Sequence, residues 1–565
     1  MNDVVAHESF SKSARTPSGA MPYATSETAA RHAIYPPVSI RIGEARPMTR
    51  NGGVRPGIGF AKLRLDLERA WQAVMHLECR EALVIAELIE HHANGLSSTV
   101  AKTLRCELAA LRAAALVLQD DEAAALPAAL AARGPGVSAV TAHIALTVCR
   151  SVYWRLGELE RFHAVERVKL DTQLGRRQAL AALFDLALDA AVALDQMRFS
   201  AARLLAAHAL EIGRRFIGKQ VPADAFPACI VAQVLYEQGQ VDDAEALIVA
   251  RLATLRESCT VESALRAYGL LTRIAAGRRQ HGRALVILSE AEALGARRAW
   301  PRLQAASLAQ QIEIEVGRGR IEQAESALQR LAALVALAGL ADEARAASRN
   351  VSFEIARFHT VARARVALAC SPAAVDIAAL REVHRDTVWR GGLYAAVPIA
   401  LLLVEALLVT GQRGEAVEVL VGLLRLAPSV GLHQTLVDCS ARVAELIEAI
   451  VQQRIVAVSD TRELLPYAGM LLVHRQRDAS ETHEPFAARR PHAGAGLSER
   501  ERLILALMGR GLSNKQIAVE LGIAPETVKS HAKHLYAKLS VRNRTEAVTL
   551  ASRLDLLRMP RSVAA

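Results

Sequence analysis

Lysine is scarce in this chain: nine of its 69 basic residues are lysine and the other sixty are arginine. Aromatic side chains are scarce too, at 4% of 565 residues, while Ala and Leu dominate a hydrophobic content of 52%. That mixture favours helices packed through small residues over a β-rich fold. The seven cysteines (Cys79, Cys106, Cys149, Cys229, Cys259, Cys370 and Cys439) contain no CxxC pair and an odd member. This excludes a disulfide framework and a zinc site of ordinary spacing, and it fits a reducing bacterial cytoplasm. The chain also lacks a clean apolar run of about 20 residues, the length a membrane-spanning helix needs. Its longest candidate, Ala395 to Thr410, is interrupted by Pro398 and Glu405. No signal-type apolar core follows the first methionine.

What is present is length and helical period. A chain of 565 residues needs several domains or one repeat array. Residues 1–56, rich in Ser, Thr, Pro, Gly and Arg, read as a disordered leader. From position 57 to 472 nearly everything has helical period, with short Gly or polar breaks at regular intervals and no alternating strand pattern. One phrase recurs there: a helix, a Gly, a polar turn, then Ala five residues after the Gly. It occurs at Gly239 and Ala244, at Gly319 and Ala324, and at Gly411 and Ala416. A looser copy has Gly277 and Ala284 seven apart, and around Gly157 the Ala position is held by Phe162. Gly157 to Gly239 is 82 residues and Gly239 to Gly319 is 80, each two periods of roughly 40. Repeated helical hairpins that bury their faces only against neighbours stack into a solenoid. The pattern resembles tetratricopeptide repeats. Tyr153, Trp154, Tyr236 and Tyr268, among its few large aromatics, are expected to fill core between hairpins or, alternatively, to line a ligand groove.

Residues 473–496 carry no apolar stripe and read as a linker to a compact module at 497–557, with a tail at 558–565. In the module, Ser498 with Glu501, Ser513 with Gln516, and Asn543 with Glu546 form three capping boxes that predict helix starts. Gly511 and Gly522 supply stops, and Pro525 opens a further helix. On that helix Val528, Ala532, Leu535 and Leu539 share one face, while Lys529, Ser530 and Lys533 share another. The module holds ten Lys/Arg against six Asp/Glu, a balance of +4, and four of the nine lysines: Lys515, Lys529, Lys533 and Lys538. Positive charge is therefore concentrated here, within a chain of net charge +11.

LSERE at 497–501, GLSNKQIA at 511–518, TVKSH at 527–531 and RTEAV at 544–548 together resemble the LuxR/NarL/GerE-type helix-turn-helix family. The resemblance implies an all-α fold in which a tetratricopeptide-like solenoid precedes a four-helix DNA-binding domain. It implies that Lys529, Ser530 and Lys533 read base edges, and that Thr527, Asn514, Lys515, His531 and Lys538 hold the DNA backbone. Asn543, Val548 and Ala551 fall on the helix through which the family dimerises. Ala524 stands where the family has a hydroxyl cap, and His534 replaces a common Asn. The whole arrangement looks like the C-terminal half of MalT-like regulators without their N-terminal ATPase.

Other motifs carry less. Gly213 to Lys219 imitates a phosphate loop, but Gln220 replaces the Mg²⁺-binding hydroxyl and the preceding segment is helical. His91 and His92 point to different faces of a helix and read as solvated rather than metal-binding. No catalytic grouping is found, so no enzyme activity, metal or cofactor is expected. The expectation is a sequence-specific transcriptional regulator that acts as a homodimer on double-stranded promoter DNA. Its solenoid would receive a small inducer or a protein partner; RNA polymerase is a further partner and a membrane is not. The alternative is a repeat-based adaptor with a vestigial DNA-binding module.

Overall fold

The computed structural model describes residues 58–93, 98–134, 136–168, 173–218, 221–344, 349–452, 462–482 and 499–521, with single positions 525, 528, 529, 531, 532, 535, 544, 547 and 548. Among them the protein is all-α. It divides into two compact units, Met1–Gln476 and Arg477–Ala565.

The first unit is built from hairpins. The pairs are α1 (Ile58–Met75) with α2 (Cys79–Ala93), α3 (Ser98–Leu118) with α4 (Glu122–Ala131), and α5 (Ala139–Leu156) with α6 (Leu159–Ala164). Next come α7 (Arg176–Asp195) with α8 (Phe199–Ile212), and α9 (Ala225–Glu237) with α10 (Val241–Val249). A short α11 (Leu252–Glu257) precedes α12 (Val261–Gly277) with α13 (His281–Arg298), then α14 (Pro301–Gly317) with α15 (Ile321–Ala344). The unit ends with α16 (Arg349–Cys370), α17 (Ile377–Trp389), α18 (Leu393–Val409), α19 (Arg413–Val430), α20 (Gln434–Val437), α21 (Ala441–Val451) and α22 (Leu465–Thr482).

One turn geometry closes these hairpins. A single residue takes left-handed backbone, with φ between 57° and 82°, at Leu77, Asp120, Gly157, Met197, Gly239, Arg279, Gly319, Gly391 and Gly411. Its N–H donates to the carbonyl three residues back, and the next N–H donates to the carbonyl five back, as in Gly239 to Tyr236 and Gln240 to Leu235. Carbonyls at the end of the first helix are thereby satisfied. The residue five beyond the turn is fully buried in every case: Ala82, Ala125, Phe162, Ala202, Ala244, Ala284, Ala324, Ala396 and Ala416. It lies in the first turn of the second helix, where alanine, found in eight of the nine, lets the two helices approach closely; at the ninth the Phe162 ring is accommodated beneath the Arg150 guanidinium, 4.2 Å away. Between 157 and 319 these hairpin-turn residues are spaced by 40, 42, 40 and 40, with the left-handed Ala299 ending α13 between two hairpins.

The looser copy at Gly277 is corrected by this geometry. Gly277 ends α12 as a helical residue, and Arg279 is the left-handed one, φ 57°. Its spacing to Ala284 is then the regular five. Glycine marks this turn only where glycine happens to occupy it; an exposed Arg accepts the conformation at a cost of about 1 kcal/mol.

The first helices of successive hairpins pack on one another, α1 on α3, α3 on α5, α5 on α7, α7 on α9, α9 on α12 and α12 on α14. The stack curves until distant hairpins meet. The Ser258 hydroxyl donates to the His76 carbonyl, Arg302 to Asp120, Arg390 to the Leu156 carbonyl, and the Thr435 N–H to Glu237. These partners are 182, 182, 234 and 198 residues apart, or about five hairpins.

Two of these seams are polar and buried. Arg302, 1% exposed, binds Asp120, Glu262 (2.5 Å) and Glu354 (2.8 Å). Arg155 binds Asp120 and Glu122 in the same cluster. Burial alone would lift the Asp120 carboxyl, but Arg155 and Arg302 outweigh it and hold it down at about 2. Burial and the Asp120 charge push Glu122 the other way, against the pull of Arg155. The second seam centres on Glu237, fully buried, which accepts from Tyr394 Oη (2.6 Å), the Thr435 hydroxyl and the Thr435 N–H (3.1 Å). Beside it the Arg273 guanidinium stacks 4.6 Å from the Tyr236 ring.

The sequence places a linker from residue 473, yet α22 stays helical to Thr482. Its inner face explains this: Leu471 is 2% exposed, and Arg475 Nη1 donates to the carbonyls of Val437 (2.8 Å) and Cys439 (2.5 Å). A stripe broken by arginine is still a docked stripe when main-chain carbonyls await it.

Candidate nucleic-acid interface

The second unit is described in two helices and several single positions. α23 (Glu499–Gly509) ends in the turn used throughout the solenoid: Gly511, φ 88°, donates to Met508 O, and Leu512 N–H donates to Leu507 O. α24 (Asn514–Leu521) then starts from a complete capping box. Gln516 N–H donates to Ser513 Oγ (3.4 Å), while Ser513 N–H and Oγ both donate to Gln516 Oε1 (2.8 and 2.9 Å). The other two boxes, at Ser498 and Asn543, lie outside the described residues.

The core of the module is Ile504, Leu507, Met508, Ile517, Ala518, Val528 and Ala532. Leu535 and Ala547 are also fully buried. Val528, Ala532 and Leu535 are spaced four and three apart, so one helical face turns inward. Lys529, next to buried Val528, is exposed. Lys515 is exposed and Asn514 half-buried in the first turn of α24, where free N–H groups and the macrodipole favour an anion. His531 is half-buried. Val548 is half-buried and packs on the module core. Thr527, Ser530, Lys533, Lys538, Asn543 and Ala551 lie outside the described residues, as do Ala524, His534 and Leu539.

Arg544 has a role that the sequence did not suggest. Its Nη2 donates to Met508 O (3.0 Å) and Leu512 O (2.7 Å), tying the last part of the module to the end of α23. The acceptors are main-chain carbonyls, which leave no trace in residue types.

The family described as MalT-like TPR region matches residues 107–453, more than half of the chain. The family described as bacterial regulatory proteins, luxR family, matches residues 495–551. This chain belongs to the MalT-like TPR family and carries a luxR-type helix-turn-helix domain. In the MalT-like chain the C-terminal part is similar to the DNA-binding transcriptional activator DevR/DosR of Mycobacterium tuberculosis, 37% identical over 93 residues. That match covers 16% of this chain and 39% of the relative, so the chain spans about two-fifths of the relative's length. The solved structure of a Rap protein complexed with competence and sporulation factor is similar at 13% identity and TM-score 0.47, over 66% of this chain and 99% of that one.

The remaining motifs of the MalT-like chain resolve simply. The segment that imitates a phosphate loop continues α8 as a π-helical turn, Gly213–Ile217, with Gly213 and Ile217 buried; Lys219 lies outside the described residues. His91 and His92 are exposed. Tyr236 and Tyr268 are buried in the core, whereas Tyr153 and Trp154 are half-buried. Among the described residues no group of acidic, His or Cys side chains could hold a metal ion, and no helix is long and apolar enough to cross a membrane.

Proposed function

We propose that this MalT-like chain is a sequence-specific, DNA-binding transcriptional regulator whose solenoid receives an effector. The observation that supports this most is the exposed Lys529 beside the buried stripe Val528, Ala532 and Leu535, next to a helix capped by Ser513 and Gln516. A helix anchored in this way offers a short basic face to the major groove while the preceding helix holds phosphates. Ser530 and Lys533 belong to the base-reading face; Thr527, Asn514, Lys515, His531 and Lys538 belong to the phosphate-holding surface. Asn543, Val548 and Ala551 lie on the helix that joins two copies, which places half-sites about one helical turn apart.

The test is footprinting of the full chain on its own promoter region across a salt series. Wild type protects a discrete site. The double variant Lys529→Ala, Lys533→Ala loses that protection, and its residual binding has a slope of log K against log salt smaller by about 1 per lysine. An unchanged footprint in the double variant overturns the reading of this face. Absence of any discrete site in wild type favours an adaptor role instead.

A further inference from the structure

α2 completes the first hairpin of the solenoid, and its two faces are both apolar. Ala82, Ala86 and Ile89 are buried in the core, as the hairpin pattern requires. On the opposite face Val84 and Leu88, one turn apart, are each 57% exposed. Leu65 of α1, twelve residues before the turn residue Leu77 as Leu88 is eleven after it, stands at the same height in the hairpin and is 62% exposed. On the other solenoid helices, α22 excepted, exposed large apolar side chains among the described residues stand one to a helix. Lone exposed aliphatics are ordinary. A pair at the end of a stack is different, because the end of a solenoid needs an outer face that is polar or covered.

The charge around the pair has a sign. Glu81 and Glu87 each lie three residues from Val84 and so flank it on the helix surface. Both are exposed, and among the described residues neither has an ion pair, whereas Glu90 is paired with Arg112 at 2.5 Å. Arg80 is the one arginine of the helix against these three acids. In a chain of net charge +11, two acids left without an arginine beside an apolar pair suit a partner that is both apolar and basic.

The chain itself supplies such a segment. Residues 1–57 precede α1, and 31–50, within that stretch, lie outside the described residues. Their densest apolar run is Ile34 to Ile42, with Ile34, Tyr35, Val38, Ile40 and Ile42. Arg31, Arg41, Arg46 and Arg50 surround it, against Glu44 alone. The sixteen residues from Ile42 to Ile58 can span up to about 50 Å, and α1 is about 27 Å long. All of α2 is therefore within reach. A flexible tether holds its segment at an effective concentration in the millimolar range, so a face of two aliphatic side chains suffices. The same face is too small for a second copy, because a stable interface between chains takes roughly 1,200–2,000 Å².

We propose that the outer face of α2 docks residues 34–42 of the same chain, with the apolar side chains on Val84 and Leu88 and the flanking arginines on Glu81 and Glu87. The segment before the solenoid thereby caps its first hairpin.

The test places a photo-cross-linker in the full chain, Tyr35→p-benzoylphenylalanine, and maps the adduct by peptide mass after irradiation without DNA. The expected adduct lies within one chain, on residues 80–91. Val84→Asp with Leu88→Asp should cut its yield about 10-fold or more. Both positions are exposed, so helical circular dichroism should stay that of the parent chain. Glu81→Lys with Glu87→Lys should reduce the yield roughly 3- to 10-fold, the worth of two exposed ion pairs, and added salt should lower the parent yield as well. An adduct joining two chains would replace the tethered segment by a second copy and overturn the proposal. So would an adduct elsewhere, no adduct, or a yield that neither the aspartates nor the charge reversal moves.

Discussion

Arg302 grips Asp120 from 182 residues away, Nε to Oδ2 at 3.0 Å and Nη2 to Oδ1 at 2.8 Å, with both residues buried. Asp120 is also the left-handed residue of its own hairpin turn, φ 76°. One side chain thus closes a local turn and fastens one coil of the superhelix to the next. Asp120→Asn leaves two buried guanidiniums short of an anion. Breaking such a group on one side typically costs about 3–5 kcal/mol. Urea unfolding of the full chain, followed by helical circular dichroism, should show a loss of about 3 kcal/mol in the solenoid transition. A loss below about 1 kcal/mol would mean that the cluster behaves as a surface pair. The Asp120 pKa is depressed in the folded state, so its contribution is complete above the ordinary carboxylate value and fades as pH falls toward about 2. The variant's stability should therefore converge on wild type in acid.

The turn geometry gives a pair of opposite expectations. Arg279 is exposed and left-handed, so Arg279→Gly should relieve backbone strain and raise stability by about 0.5–1 kcal/mol, net of the added freedom of the unfolded chain. Gly157 is left-handed as well, φ 75°, but a Cβ there would lie 2.8 Å from Cβ of Arg390 across the seam. Gly157→Ala combines strain with a clash between two backbones and should cost at least about 2 kcal/mol. Shifts in urea midpoint at constant m-value check both.

His433 and His474 share a hydrogen bond, Nε2 to Nδ1 at 2.7 Å, with their rings edge to face. It joins the residue just before α20 to α22. Burial and the neighbouring His474 both lower the His433 pKa, against a smaller pull from Glu237. A lowered imidazole pKa means the unfolded chain takes up the proton first. The stabilisation is complete above the ordinary value near 6.5 and is lost as pH falls below it. The protection of α22 amides, taken relative to intrinsic exchange at each pH, should fall between about pH 6.5 and pH 5. His474→Gln, which retains a donor and an acceptor, should flatten that dependence. Equal protection at both pH values would show that the pair does not govern docking of α22.

Four of the nine turns were legible in advance; a fifth, Gly391 with Ala396, carries the same glycine and buried alanine but has Gly392, Leu393 and Tyr394 in place of a polar turn. At Gly157, Gly239, Gly319 and Gly411 the left-handed position is a glycine, and its buried partner five residues on completes a readable phrase. At Leu77, Asp120, Met197 and Arg279 the same backbone carries a side chain. The remaining signal there is one alanine in an alanine-rich chain. The seams were illegible for a different reason: Arg302 and Asp120, or Glu237 and Thr435, have no spacing relationship, because superhelical curvature brings them together. In the module, the inward stripe of Val528, Ala532 and Leu535 follows from helical period, whereas the contacts of Arg544 end on main-chain oxygens that any sequence would supply. Trp154 could be read as core or as groove, and only the packing of α5 against α7 and α9 decides that it lines a cleft.

Arg544 and Lys529 are both basic residues of one small module, yet they should fail in different ways. Arg544 spends its charge on Met508 O, which also accepts from Gly511 N–H, and on Leu512 O, so it braces the turn that closes α23. Hydrogen bonds from a charged donor contribute about 1.5–3 kcal/mol together with the desolvation they offset. Arg544→Met should therefore lower the melting transition of the module and reduce operator affinity only through its folded fraction. Cooling or excess DNA restores occupancy, and the salt slope stays that of wild type. Lys529 is exposed, so Lys529→Ala should leave the melting transition in place. It should reduce affinity at every temperature and cut the slope of log K against log salt by about 1. Parallel thermal melts and salt titrations on the full chain separate the two behaviours. A reduced salt slope in Arg544→Met would mean that its guanidinium reaches phosphate and that the carbonyl contacts are not its function.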